Sequence, residues 1–425
     1  MERPVAIFGA GVTGRAVECF LHSRGVETVF YDERPHLSGE AVNDFLAAPT
    51  NLHQLGIISP GFSRQHPWLQ AARRQDLTCI GDLDLGFLYW PGRVIAITGT
   101  NGKSTTTMLM EAALREAGLD ARACGNIGKP MVNLVDSATE DTWAVAEVSS
   151  FQSEMLQLFL CDAVLWTNFD EDHLDRHSGI LPYFRAKAHL LTRRRDSTSP
   201  AWVGRSVVEA SQSQDEELTG PIEEIQMDPS YLEGLDENSS FRFFPQAENY
   251  CLVAAFWHSF GFSHEVLVRT ANRLQMLPHR LEKVATIGDL NYWNDSKATN
   301  FSATLAALQR FEQNVYWIGG GRDKGGDLER FVEKIAPRIG QAFLIGETGP
   351  ELCQLLKEQG VRANPYTSLK AAVEEAHRLA RGPGDILFSP GFSSFDQFEN
   401  YADRGETFRS LVKQELRIET PSLYN

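Results

Sequence analysis

The sequence is poor in basic residues. Across 425 positions, 40 Lys and Arg stand against 56 Asp and Glu, a formal net charge of −16. That balance argues against a surface built for nucleic acid or an anionic membrane, where affinity comes from clustered positive charge. It leaves anionic small ligands open, because loops and metal ions set the local field in a cleft. Cysteine is sparse as well. The six residues Cys19, Cys79, Cys124, Cys161, Cys251 and Cys353 form no CxxC, and read as small buried hydrophobes in a reducing, cytoplasmic setting. No apolar run approaches the ~20 residues that span a bilayer. The chain enters a strand at once, so no signal peptide is expected. Ser211 to Ser240 lacks lysine and arginine altogether while carrying nine acids, and is expected to be a solvated excursion of hairpins and loops.

What is present is a soluble α/β chain, 42% hydrophobic and 23% charged, of a length that favours several domains. Up to about Pro91, PVAIF, ETVFYD and GIISPG read as short buried parallel strands separated by helical stretches. WPGR, Trp90 to Arg93, reads as a linker. A second block has RVIAIT, WAVAEV and AVLWTNF as strands. A third, from about Leu277, has NVYWIGG, QAFLIGE and DILFSPG, and a helix in SLKAAVEEAHRLARG expected to end at its glycine. The fold class is therefore α/β in three domains, 1–91, 92–276 and 277–425. Ligands of such folds gather where strands end.

Two glycine motifs follow strands. Gly9 to Gly14 is a GxGxxG, and Asp32 ends the next strand. By itself this suggests a dinucleotide whose ribose Asp32 would hold. RVIAITGTNGKSTTT is stronger. Backbone N–H groups of Gly99, Thr100, Asn101, Gly102, Lys103, Ser104 and Thr105 can wrap a phosphate at a helix start, with Lys103 as a point charge and the Ser104 hydroxyl for Mg²⁺. Its spacing departs from GxxxxGK[ST], with Ile97 where the first glycine would be. Glu147 ends a buried-looking strand, and His173 sits among Asp170, Glu171, Asp172 and Asp175. One carboxylate, one hydroxyl and phosphate oxygens suit Mg²⁺. Lys187, on an expected helix, reads as a surface lysine by pattern alone. In the third block, Asp295 to Asn300, the GGGRDKGG turn and Ser393–Ser394 are expected to surround a small-anion site with cations and hydroxyls.

Taken together these segments resemble the Mur ligases of bacterial cell-wall synthesis. The likeness runs in order along essentially the whole chain: GAGVTG, GTNGKST, GNIG, EVSSFQ, TNFDEDHLDRH, YFRAK, LPHRLE, NDSKATN, GGRDKG and SPGFSSFDQFENYADRG. NDSKATN and the DQF segment point to the branch that adds D-glutamate. The resemblance implies a Rossmann-like UDP-binding domain, a central P-loop ATPase-type domain and a C-terminal Rossmann-like domain. It implies a cytoplasmic monomer using ATP and Mg²⁺ to join UDP-N-acetylmuramoyl-L-alanine to D-glutamate through an acyl phosphate. On it, Lys103, Glu147, His173, Lys187 and Lys297 are catalytic. Ser104, Glu147, His173 and a carbamylated Lys187 hold metal. Asn249, Arg280 and Asp295 join the loop at Gly99 in binding ATP. Val12, Thr13, Asp32, Glu33, Arg34, Gly61, Asn126, Gln152 and His173 meet the UDP substrate. Lys297, Thr299, Lys324, Ser394, Phe395 and Tyr401 match the D-glutamate pocket, Tyr401 standing where the family usually has phenylalanine.

Two other readings compete. An NAD-dependent dehydrogenase would explain Gly9 to Gly14 and Asp32 but needs neither the loop at Gly99 nor Lys324. A non-catalytic nucleotide sensor would not need Lys103, Glu147 and His173 together.

Overall fold

The computed structural model describes residues 3–33, 44–311 and 315–415. The chain divides into two compact units: Met1–Phe169 with Leu181–Arg242 and Gln246–Leu274, and Asp170–Ile180 with Phe243–Pro245 and Gln275–Asn425. Among the described residues no helix is long and apolar enough to cross a membrane.

The first unit carries two sheets. β1 (Val5–Phe8), β2 (Thr28–Tyr31), β3 (Gly56–Ile58) and β4 (Cys79–Gly81) form a parallel sheet in the order β2-β1-β3-β4. β5 (Arg93–Thr98), β6 (Ala121–Gly125), β7 (Trp143–Glu147), β8 (Ala163–Trp166), β9 (Ala201–Gly204) and β10 (Ile222–Ile225) form a second parallel sheet in the order β10-β9-β8-β5-β7-β6. Central strands read as unbroken apolar runs because helices cover both faces. Val94, Ile95, Ala96, Ile97, Val145, Val164 and Leu165 are accordingly fully buried. The acidic stretch is not the hairpin region expected from its charge. Its strand β10 pairs in parallel with β9, from Ile222↔Ala201 to Ile225↔Gly204. An edge position explains the acids: Glu223 and Glu224 are exposed while Ile225 packs inward.

The second unit holds β11 (Glu282–Ile287), β12 (Leu290–Asn294), β13 (Val315–Gly320), β14 (Ile339–Ile345), β15 (Arg362–Pro365) and β16 (Gly384–Phe388), in the order β11-β12-β16-β13-β14-β15. Only the β11–β12 pair is antiparallel. The helix of SLKAAVEEAHRLARG stops earlier than expected, at Leu379. Ala380 turns extended there, two residues before Gly382.

Asp84 ties the first sheet to the second within their unit. It lies in the helix Asp82–Leu88 that follows β4, and is wholly buried. Its carboxylate accepts backbone N–H bonds from Gly81 (3.1 Å), Gln157 (3.1 Å), Leu158 (2.8 Å) and Phe159 (2.8 Å). A buried charge is tolerable only when its lone pairs are filled in this way, and donors left without it are costly. Asp84→Asn should lower unfolding stability by about 3 kcal/mol in urea titrations. A loss under about 0.5 kcal/mol, the size expected of an ordinary surface change, would contradict this role for Asp84.

Candidate functional site

β5 is one of the two middle strands of its sheet, and the segment after it is held by the loop that follows β8. Thr100 N–H donates to Asn168 O (3.0 Å), Asn101 N–H to Asn168 Oδ1 (2.9 Å) and Thr167 Oγ1 to Asn101 O (2.6 Å). Gly99 has φ +146, and a Cβ there would fall 1.9 Å from Thr167 Oγ1, so no other residue fits the turn. The helix Lys103–Glu116 begins directly after Gly102, with Ser104 and Thr105 in its first turn. Asn249 is buried against this loop: a Cβ on Gly102 would lie 2.3 Å from its Oδ1, and its Nδ2 donates to Gln246 (2.9 Å).

Two ammonium groups converge here. Lys103 Nζ donates to Gly99 O (2.9 Å) and Thr100 O (2.8 Å). Lys187 Nζ donates to the same Gly99 O (2.6 Å) and stands 4.8 Å from the Tyr183 ring centroid. Lys187 is 1% exposed, which overturns the surface reading that its helical position suggests. Alongside, β7 pairs with β5 so that Glu147 lies opposite Ile97. Glu147 is buried. Its Oε1 accepts from Asn126 Nδ2 (2.8 Å), while its Oε2 has no hydrogen-bond partner. A buried carboxylate oxygen left without a donor fits a cation better than it fits a packed core. Among the described residues no three His, Cys, Asp or Glu side chains gather as a metal cluster. Mg²⁺ needs no such cage when phosphates and water complete its octahedron.

The first sheet places its glycine turn as the sequence suggests. Gly9 has φ +105, and a Cβ on Gly14 would be 1.9 Å from Gly9 O. Asp32 does something not expected of it: its Oδ2 accepts the Ala10 N–H (2.7 Å), bracing the turn. Glu33 pairs with His66 (3.1 Å), and Val12, Thr13 and Gly61 lie near the surface around the turn. Arg34 lies outside the described residues. The Gln152 amide is buried. Its Oε1 takes the N–H and hydroxyl of Ser149 (both 3.2 Å), and its side chain also hydrogen-bonds Asp82.

The second unit brings three loops together at the ends of adjacent strands β12, β16 and β13. Asp295 N–H donates to Phe388 O (2.7 Å), Gly391 N–H to Ala298 O (3.0 Å) and Gly320 N–H to Pro390 O (2.9 Å). Arg322 and Ser393 exchange backbone bonds at 3.0 and 3.2 Å. On these loops Ser394 is buried, Thr299 half-buried and Phe395 exposed. Lys297 Nζ lies 4.0 Å from the Tyr401 ring centroid, a cation–π contact that the family's usual phenylalanine would also make. Lys324 Nζ is 3.4 Å from Asp172 Oδ1, and Asn300 Nδ2 donates to Asp172 Oδ2 (2.9 Å). His173 belongs to this unit too. It sits in the left-handed region at φ 55, with Nε2 3.6 Å from Asp172. Asp172 is one of the acids read around His173 and Asn300 belongs to the helix start read as anion-friendly, but their pairing carries no signal in the sequence. Arg280 is half-buried beside His279, whose main chain receives the Lys297 N–H (3.0 Å).

The Mur ligase middle domain matches residues 97–220 and the Mur ligase glutamate ligase domain matches 279–391. A UDP-N-acetylmuramoylalanine–D-glutamate ligase of Gloeobacter violaceus is 34% identical, the match covering 96% of this chain and 98% of that protein. One of the same name from Desulfatibacillum aliphaticivorans is 33% identical over 96% and 98%. Among solved structures, a MurF ligase from Thermotoga maritima in complex with ADP aligns at TM-score 0.59 and 12% identity, covering 98% of this chain and 96% of that one. The UDP-N-acetylmuramate-alanine ligase of the same organism aligns at 0.57 and 15% identity, over 98% and 100%. The chain belongs to the Mur ligase family.

Two buried carboxyls give a pH signature. Burial raises Asp295 from 3.8 to about 7, against the opposing pull of the Ser389 hydroxyl (2.7 Å) and the Leu281 N–H (3.0 Å). Burial likewise raises Asp82 to about 7. Each keeps its proton in the folded protein at pH values where the unfolded chain has lost it. The resulting stability is full below about 3.8 and lost as pH rises through about 7. Asp295→Asn should flatten the fall in unfolding free energy between these values by up to about 1.4 kcal/mol per pH unit. Denaturant titrations across that range check it, and an unchanged slope would contradict it.

Proposed function

We propose that this chain is an ATP-dependent ligase that adds D-glutamate to UDP-N-acetylmuramoyl-L-alanine. The observation that carries this reading is the match along nearly the whole chain to relatives bearing that name, in a protein whose loop after β5 presents Lys103. In this reading the domains are 1–91 for the UDP substrate, 92–276 for ATP and 277–425 for the amino acid.

The chemistry must join two anions. Two like unit charges about 4 Å apart repel by roughly 4 kcal/mol at an effective dielectric near 20. Lys103 offsets this at the transferred phosphoryl group and steadies its charge in the transition state. The L-alanyl carboxylate takes the γ-phosphoryl from ATP, releasing ADP. The neutral amine of D-glutamate attacks the acyl carbon, loses a proton and expels phosphate as the amide forms.

Ser104 and Glu147 would hold one Mg²⁺, with His173 and a carbamylated Lys187 serving the metal sites. The unpartnered Glu147 Oε2 supports that role. Bound there, the metal would neutralise phosphate charge. Gly9 to Gly14 fit the UDP diphosphate, with Asp32 bracing the turn. Asn249, Arg280 and Asp295 serve the nucleotide. Lys297, Thr299, Lys324, Ser394, Phe395 and Tyr401 receive D-glutamate. The reaction is assigned to the cytoplasm.

An amino-acid panel assayed for phosphate release tests the reading. Release should require ATP, Mg²⁺, UDP-N-acetylmuramoyl-L-alanine and D-glutamate together. Equal release with L-alanine or a diamino acid would overturn the assigned specificity. Lys103→Ala should lower turnover by at least about 10²–10³-fold, the range seen when one charge-stabilising donor is removed. UDP-substrate binding, followed by calorimetry, should stay near wild type, and turnover that survived the substitution would remove Lys103 from the chemistry.

A further inference from the structure

Among the described residues of the second unit, Arg404 is the one strongly buried guanidinium, and the proposed reaction leaves it unused. It is 1% exposed, on the helix Tyr401–Ser410 that follows the DQF segment. Its Nε donates to Ser296 Oγ (3.1 Å) and its Nη2 to Ser296 O (2.9 Å). Nη1 and Nη2 both donate to Phe392 O (3.1 Å each). Ser296 Oγ in turn donates a hydrogen bond to Tyr401 O (2.8 Å). Nη1 also packs against Gly321, 3.3 Å from where a Cβ would stand. One side chain therefore touches all three loops: Ser296 beside Lys297 and Thr299, Gly321 beside Arg322 and Lys324, and Phe392 beside Ser393 and Ser394.

The chemistry of the contacts matters as much as their number. Every acceptor is a neutral carbonyl or hydroxyl, and among the described residues no carboxylate lies within ion-pair distance of Arg404. Burial draws the guanidinium down to about 9, with Asp396 and Asp295 opposing from farther off, so it keeps its charge at neutral pH. A buried cation without a contacting anion is expensive for a core to keep, and its field is little screened. A core needing only a spacer would do better with an apolar side chain of similar volume.

We propose that Arg404 is a positioning residue for the amino-acid substrate. It locks the three loops into one register and supplies unscreened positive potential toward an anionic amino acid. The inference rests on the reading of these loops as the D-glutamate pocket.

The test compares wild type, Arg404→Gln and Arg404→Lys in steady-state assays with each substrate varied, alongside thermal melting. Arg404→Gln should raise KM for D-glutamate by about 10- to 100-fold, the scale of a small misplacement of binding groups. KM for ATP and for the UDP substrate should stay within about twofold, as expected when only one substrate's binding is lost. Arg404→Lys, which keeps charge but not the fork of donors, should fall in between, and carries the test by itself if the glutamine variant does not fold. An unchanged D-glutamate KM in the folded variants, or a parallel rise of all three KM values, would overturn the proposal. The wild-type amino-acid panel separates this from failure of the functional reading. Should wild type use another amino acid, the same comparison is read on that one.

Discussion

A single carbonyl oxygen organises the first unit. Gly99 O receives the ammonium groups of both Lys103 and Lys187, one from the helix that follows the loop and one from a helix more than eighty positions later in sequence. Two cations drawn to one neutral oxygen repel each other, on the order of 4 kcal/mol at an effective dielectric near 20. The peptide dipole offsets part of that. β5, the Thr167–Asn168 clamp and the glycine at 99 hold that carbonyl in place.

The second unit solves a different problem with similar means. Its three strand-end loops are laced by backbone bonds and by Arg404, so that Lys297, Lys324 and the serines are presented from a rigid frame. Asp172 meets Lys324 and Asn300 there, giving the lysine a partner within its own chain. Both units thus keep their cations in fixed, partly neutralised positions. Electrostatic catalysis depends on such preorganisation, since charges that need not reorganise act at full strength.

Much of this was legible in the sequence, and the exceptions share a cause. Strand ends followed by glycine, as at Gly9, Gly99 and Gly320, announce themselves because their backbone conformation demands that residue. Lys187 did not, since a lysine on a helix looks the same whether its tip meets water or a buried carbonyl. Only the resemblance to the Mur ligases singled it out. Asp32 was legible as an acid at a strand end, but not as an acceptor for Ala10 N–H. Asp84 and Arg404 were invisible as staples, because most of their partners are backbone groups, and backbone groups carry no sequence signature. The acidic stretch misled for the opposite reason. Its charge records exposure at a sheet edge, which in sequence looks the same as the solvated hairpins and loops expected there.

The central claim is that ATP activates the substrate carboxylate by phosphorylating it. The most direct measurement uses UDP-N-acetylmuramoyl-L-alanine labelled with ¹⁸O in its L-alanyl carboxylate, turned over with ATP and D-glutamate. Attack of that carboxylate on the γ-phosphoryl group carries one of its oxygens into the phosphate that is later released. The account predicts a labelled oxygen in each phosphate formed, read by mass spectrometry. Unlabelled phosphate accompanying amide formation would contradict it.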